Sequence, residues 1–321
     1  MTGDAARQGP PALVERMRCP RCGAHFRFED SSFIRCVDCG ARYDCVDGIW
    51  RMLTPQQEAR FAPFLESYPI QRSLEGWERN SAYYLSLPRV PLGDPTSRIW
   101  RIRRRSLSTL ESQVSMHFGD ISRAWALDLG AGNCWLSRRL AGMGFSTVAL
   151  DLNVEGTDSL STGQLFIEHD KLWFDRVQAS MDRLPFGDCT FDLSTVSAAL
   201  YYSDVPATLR EVYRVLRPNG MFVISDSPVY SASAPGEIMA KEQRKRLSRV
   251  LGREPGELPG GTGFLVHSEV LEELRKIGFR TSILSSERPL GRARRWIRTL
   301  LREQRREEAK FPVFVGIKPS S

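Results

Sequence analysis

From residue 124 onward, apolar and polar positions alternate between short hydrophobic runs and helical stripes. The runs at 124–129, 145–150, 174–179, 191–196 and 221–226 have the length and continuity of buried strands. Between the first two, Trp135, Leu136 and Leu140 fall on one side of a 3.6-residue period, and Arg138 and Arg139 fall on the other. This predicts a helix over 134–143, stopped by Gly144. Residues 154–170 read as helix or loop. Segments 206–215 and 268–277 predict two more helices, and 279–284 and 312–318 the final two strands. Strands alternating with helices predict an α/β fold with a mostly parallel sheet.

The residues before 121 have a different texture. Thr54-Pro55 reads as a helix entry, with Thr54 as cap, and Phe61, Phe64 and Leu65 follow at helical spacing up to about 67. Residues 68–94, with Trp77, Tyr83, Tyr84 and Leu87, read as an aromatic linker folded over the core. Residues 97–114 predict a helix with Ile99, Trp100, Ile102, Leu107, Leu110 and Val114 inward. The resulting plan is a disordered stretch at 1–13, a small domain at 14–53, a helical linker or cap at 54–120 and the α/β domain at 121–321. An insertion at 237–264 reads as a lid or substrate element, since it far exceeds a usual loop of about six residues.

Hydrophobic content of 41% and charged content of 26% are those of an ordinary soluble protein. No apolar run approaches the ~20 residues that cross a bilayer, and the first residues lack the apolar core of a signal peptide. A cytoplasmic location is therefore expected. The net charge of +7 is uneven. Arg98, Arg101, Arg103, Arg104 and Arg105 cluster before the α/β domain. Arg294, Arg298, Arg302 and Arg306 repeat every four residues, opposite Trp296, Ile297, Leu300 and Leu301. Such stripes suit nucleic-acid phosphates or an anionic membrane surface. They equally suit a solvated helix packed on the sheet, the preferred reading because Glu303, Glu307 and Glu308 dilute the charge.

Four of the seven cysteines form a pattern. Cys19-Pro-Arg-Cys22 and Cys36-Val-Asp-Cys39 are two C-x-x-C pairs, each followed by a glycine that permits a tight turn. A hairpin is expected between them, with Glu29-Asp30-Ser31 as its turn. Four thiolates so spaced fit a structural zinc ion; a redox pair and a ribbon that has lost its metal are the weaker alternatives. Cys45, Cys134 and Cys189 read as small buried residues. Loss of the metal is expected to unfold this small domain while leaving the α/β domain's ligand affinity intact.

Residues 125–153 carry the most chemistry. A strand ends in Asp128-Leu-Gly130-Ala131-Gly132-Asn133, a helix follows, and the next strand ends on Asp151. Glycines let a ligand approach the backbone, and an acid on the second strand accepts hydrogen bonds from a ribose. A dinucleotide fingerprint would place a third glycine where Trp135 stands. The D-x-G-x-G pattern instead resembles the first motif of class I S-adenosylmethionine-dependent methyltransferases. Leu184-Pro185-Phe186, Phe191-Asp192 and Arg214-Val215-Leu216 with Pro218-Asn219-Gly220 resemble that family's later landmarks. The resemblance implies a Rossmann-like methyltransferase fold: a mostly parallel seven-stranded sheet with an antiparallel last strand, here preceded by a small zinc ribbon. It implies S-adenosylmethionine as cofactor, with Asp128, Gly130, Ala131, Gly132 and Asn133 around the methionine part and Ser197 near them. Asp151 would hold the ribose, and Leu152 would lie against the adenine. The family often has an aspartate where this chain has Ser180, so Ser180, Asp182 and the Met181 backbone all remain candidates for the adenine amine.

Residues 197–204 lack the N/D-P-P-Y motif of DNA and protein-glutamine methyltransferases, and resemble small-molecule enzymes of the quinone-biosynthesis type. The segment 14–53 resembles the zinc ribbon of ribosomal-RNA guanine methyltransferases and of small methyltransferase-activator proteins. Transfer of a methyl group to a small molecule is the favoured reading. An RNA acceptor and a non-catalytic scaffold are the rivals, and no obligate protein partner is indicated. The catalytic residue is left open: Tyr202 and Phe264 are candidate substrate contacts. His117, His169 and His267 are candidate bases, each more easily read as a surface residue.

Overall fold

The computed structural model describes residues 11–91, 93–284 and 307–320. A short helix α1 (Pro11–Arg16) leads into four strands, β1 (Phe26–Asp30), β2 (Phe33–Cys36), β3 (Arg42–Val46) and β4 (Ile49–Arg51). Three helices follow, α2 (Pro55–Leu74), α3 (Ser81–Ser86) and α4 (Ser97–His117). The α/β part then runs β5 (Trp125–Leu129), α5 (Trp135–Met143), β6 (Ser146–Asp151), α6 (Gly163–Asp170), β7 (Asp175–Gln178), β8 (Phe191–Ser197), α7 (Val205–Val215) and β9 (Leu216–Ser225). Next come β10 (Val229–Tyr230), α8 (Ser233–Leu251), β11 (Leu265–Val266), α9 (His267–Ile277), β12 (Arg280–Leu284) and β13 (Val313–Ile317).

The order β7-β6-β5-β8-β9-β13-β12 is the expected seven-stranded sheet. The first five strands pair in parallel, and β13 lies antiparallel between β9 and β12. Apolar clusters cover both faces. One gathers Leu127, Val196, Leu209 and Leu274, the other Ala126, Leu140, Phe166 and Val223. Ligands meet such sheets beyond the carboxyl ends of the parallel strands, where the strand order reverses between β5 and β8.

Two expectations about the amino-terminal half change. The ribbon is not a separate tethered unit: β4 pairs in parallel with β7 through Ile49–Arg176 to Arg51–Gln178, so one sheet runs from β1 to β12. Ile34, Tyr43 and Trp50 share a core cluster with Leu127 and Val177. The helix begun at Thr54 continues through Pro63 and Pro69 to Leu74. Its start has the predicted cap: Gln57 N–H donates to Thr54 Oγ1 (3.3 Å) and Thr54 N–H to Gln57 Oε1 (3.0 Å). Phe61, Phe64, Ser67 and Gln71 are its buried residues, and this tertiary support outweighs the amide donors that the two prolines remove.

The aromatic linker folds inward as expected. Trp77, Tyr84 and Leu87 are buried, and Trp77, Trp100 and Trp135 form a chain of edge-to-face contacts at 6.2 and 5.3 Å. On α4, Trp100, Leu107, Leu110 and Val114 face inward, but Ile99 is exposed and Arg103 is buried. The insertion read as a lid or substrate element contains most of α8, a 19-residue helix with only Gly236 and Leu247 buried. Cys134 is buried, Cys45 is half-buried and Cys189 is exposed, so the three are not alike. The hairpin turns at Ser31-Ser32, one residue later than expected, with Asp30 Oδ1 accepting from Ser32 N–H at 2.7 Å. Arg294, Arg298, Arg302, Arg306 and the apolar residues between them lie outside the described residues. Among the described residues no helix is long and apolar enough to cross a membrane.

Candidate cofactor and substrate site

A cavity of about 580 Å³ opens beyond the carboxyl ends of β5, β6, β8 and β9, within the ~300–1,000 Å³ typical of small-ligand sites. Gly130, Ala131, Gly132 and Asn133 supply one wall, Asp151 and Leu152 the next, and Ser180, Met181 and Ser197 a third. Of the residues expected at the cofactor, only Asp128 and Asp182 do not line it.

The glycine turn is built for close approach. Gly130 (φ 63°) and Gly132 (φ 51°) adopt the left-handed region. A Cβ on Gly130 would sit 2.2 Å from that of Ala199, whereas one on Gly132 would meet nothing within 4 Å. Gly132 therefore presents bare backbone to the cavity. Asp151 fixes the turn: its Oδ2 accepts from Gly132 N–H and its Oδ1 from Asn153 N–H, both at 2.8 Å. A carboxylate has about four lone-pair sites, so two remain for hydroxyl donors from a ribose. Burial raises the Asp151 carboxyl, and the Asn153 and Gly132 amides pull it back.

Asp128 has a different task. It is 1% exposed and sits behind the turn, where Oδ2 accepts from Ser137 Oγ (2.6 Å) and Oδ1 from Thr195 Oγ (3.1 Å). It ties α5 and β8 to β5 and does not reach the cavity. Asp182 is likewise turned aside. Its carboxylate accepts from Ser180 Oγ and faces Arg60 at 3.5 Å, so of the three adenine candidates Ser180 and Met181 border the cavity.

The later landmarks prove to be fasteners. Asp192 accepts from Trp125 N–H (2.8 Å) and from Arg217 (2.7 Å). Arg214 donates to the Leu184 and Phe186 carbonyls at 3.2 and 2.7 Å, while Leu184 N–H donates to Glu211 (2.7 Å). The ribbon grips the same loop from the other side: Arg18 N–H donates to Pro185 O and Gly187 N–H to Arg16 O, each at 2.9 Å. On β7, Gln178 donates its side-chain amide to Leu152 O (3.0 Å), and its own carbonyl accepts from Met52 N–H (2.8 Å). The ribbon thus braces both strand ends that carry Leu152 and Ser180.

Helices α2, α4 and α8 close the cavity over the sheet. Tyr202 packs with Phe64, Tyr68 and Tyr201 at 6.0, 5.8 and 4.5 Å, making an aromatic roof. Arg72 beneath it donates to Asp158 (2.6 Å), which in turn accepts from Asn133 (2.7 Å). Burial would lower the Arg72 guanidinium, but Asp158 holds it above its ordinary value. Phe264 is buried against Gly236 and Tyr230, outside the cavity lining. None of the three histidines borders the cavity: His117 bonds Asn219 O, His169 bonds Asp170, and His267 packs on Phe314. The sequence reading missed Arg72, Arg103, Asp158 and Asp226, all cavity residues lying outside recognisable motifs.

Residues 127–224 match the methyltransferase domain family. The chain contains a methyltransferase domain. Over 169 residues it is 28% identical to a malonyl-[acyl-carrier protein] O-methyltransferase from Erwinia billingiae, covering 51% of this chain and 62% of that protein. It is 29% identical over 163 residues to a demethylmenaquinone methyltransferase from Streptomyces avermitilis, covering 48% and 67%. A mitochondrial arginine hydroxylase from Danio rerio is 26% identical over 171 residues, covering 52% and 49%. The match thus spans about half to two-thirds of each relative's length. A solved structure from Galdieria sulphuraria, proposed to be a sarcosine dimethylglycine methyltransferase, superposes with a TM-score of 0.51 at 18% identity. It covers 79% of this chain and 99% of that one, and it shares the fold.

The methyltransferase domain's buried Asp128 generates a pH prediction. Burial pushes its carboxyl up to about 7, while an unfolded aspartate releases its proton near about 4. The native state therefore binds more protons in that window. The stability this group contributes is complete below about pH 4 and is lost as the pH climbs to about 7. Asp128→Asn is expected to flatten that decline, read from urea midpoints across the window. A slope identical to that of the parent would show that Asp128 is ionised in the folded protein.

Proposed function

We propose that this protein uses S-adenosylmethionine to methylate a small molecule. The observation that carries the reading is the single cavity into which Asp151, the bare Gly132 backbone and the Tyr202 roof all open. The residues fit the cofactor: Gly130 has no room for a side chain, and Asp151 keeps free lone pairs beside the turn. When bound, S-adenosylmethionine supplies a methyl group already activated by its sulfonium. What remains for the protein is proximity and orientation. Gly130, Gly132 and Asn133 border the methionine part, Asp151 the ribose, and Leu152, Ser180 and Met181 the adenine. Tyr68, Tyr201 and Tyr202 cover the acceptor and exclude water. A roofed cavity of this size suits a small acceptor, whereas an RNA base would need an open approach.

The four cysteines fit zinc. Their Sγ atoms all lie within 4.8 Å of one another, with Cys19–Cys39 at 3.7 Å and Cys22–Cys36 at 3.4 Å. Zn–S bonds of ~2.3 Å in a tetrahedron place sulfurs roughly 3.8 Å apart. Cys19, Cys22, Cys36 and Cys39 are free thiols, as a reducing cytoplasm would keep them. The metal would hold the ribbon, and through it the loop that carries Ser180 and Met181.

Calorimetric titration with S-adenosylhomocysteine is expected to show one site per chain, weakened by about 1.5–3 kcal/mol in Asp151→Ala, the scale of a lost hydrogen bond to a charged group. Absence of binding, or preference for a nicotinamide dinucleotide, would contradict the reading. Elemental analysis is expected to find one zinc per chain. Stripping it with a chelator is expected to weaken S-adenosylhomocysteine as well as to unfold the ribbon. Unchanged cofactor affinity in the metal-free protein would mean that the ribbon stands apart from the site.

A further inference from the structure

Two charged side chains of the cavity have unmet bonding capacity. Arg103 is 8% exposed, lies over the rings of Trp77 (4.9 Å) and Trp100 (4.7 Å), and among the described residues its buried Nε has no hydrogen-bond partner. Among the described residues it makes no ion pair. Burial pulls it below the ordinary guanidinium value, opposed chiefly by the charge of Asp226. Arg72 contrasts with it, since its charge is already met by Asp158 and Glu75. Asp226, 7% exposed, stands at the carboxyl end of β9 with φ 58°, a conformation rare for any residue with a side chain. Its Oδ2 accepts from Ser197 Oγ (2.7 Å) and Ser225 Oγ (3.2 Å), while its buried Oδ1 accepts from none of the described residues.

Burying an unpaired guanidinium or a carboxylate oxygen is costly, and a site built to bind retains such groups for a ligand. The two face one cavity without forming an ion pair with each other, so a ligand with complementary groups fits between them. Resting on the methyl-transfer reading, we propose that the acceptor is a small organic acid. Its carboxylate pairs with Arg103, and a hydroxyl or amino group close to that carboxylate donates to Asp226 Oδ1. The acceptor's apolar body then lies under Tyr202 and against Ile99 and Met239, which share the lining. The planar fork of an arginine suits a carboxylate, and the two tryptophan faces hold that fork in place.

The test uses the full chain saturated with S-adenosylhomocysteine, titrated with 3-hydroxybenzoate, benzoate and phenol. The hydroxy acid is expected to bind tightest of the three. Arg103→Gln should weaken 3-hydroxybenzoate and benzoate about tenfold or more and leave phenol unchanged, as expected for a lost charged hydrogen bond. Arg103→Lys should recover part of the loss. Asp226→Asn should weaken 3-hydroxybenzoate and spare benzoate. Three results would overturn the proposal: no binding of 3-hydroxybenzoate, equal binding of all three probes, or an Arg103→Gln protein that loses S-adenosylhomocysteine while keeping the probes. The last would assign Arg103 to the cofactor's own carboxylate. Failure of S-adenosylhomocysteine to bind the parent protein would instead remove the underlying methyl-transfer reading.

Discussion

Asp151 accepts the Gly132 amide across the gap between two parallel strands, and the ligand-facing geometry follows from that bond. Without it the turn after β5 would have two left-handed glycines and no restraint. With it, bare backbone is held open to the cavity at the point where the strand order reverses. The same carboxylate orders the stretch beyond β6 through Asn153. The Asn133–Asp158–Arg72 chain then carries that order up into α2, so the roof is registered on the floor.

A second layer of order comes from the ribbon. Sheet pairing through β4 makes the small cysteine-bearing unit an extension of the α/β sheet. Its backbone also grips the Pro185–Gly187 loop that α7 holds from the other side through Arg214. Residues that look like family landmarks therefore act mainly as clasps. Phe186 and Arg214 hold the loop that follows Ser180 and Met181, Asp192 ties β8 to Trp125 and Arg217, and none of the three lines the cavity.

What was legible in the sequence follows from how local the cause is. The glycine turn, Asp151 and the paired C-x-x-C knuckles are written in residue types that only a few backbone geometries require, and each was found. The mostly parallel sheet followed from short apolar runs separated by helices. Asp128 was misplaced because a motif says that an acid is needed, while packing decides whether it faces ligand or core; Ser137 and Thr195 claim both of its oxygens. Helix α2 was cut short at residue 67 because the proline- and aromatic-rich stretch from residue 68 read as a linker, whereas burial of Phe64, Ser67 and Gln71 carries the helix on through Pro69. The segment of α8 was read as a lid or substrate element but not as a helix, because it buries little of itself and so has no strong apolar stripe. Arg103 and Asp226 were unreadable in principle. One was counted among surface arginines and the other ends a strand, and only tertiary structure strips both of water in one cavity.

Hydrogen exchange of the full chain, with and without S-adenosylhomocysteine, tests the account's central claim most directly. Protection is predicted at residues 130–133, 151–153 and 180–182, with the Gly132 amide among the most slowed, and extending to 67–72 in α2. Protection that spares the glycine turn, or that falls on the outer strands β1 and β2, would contradict it.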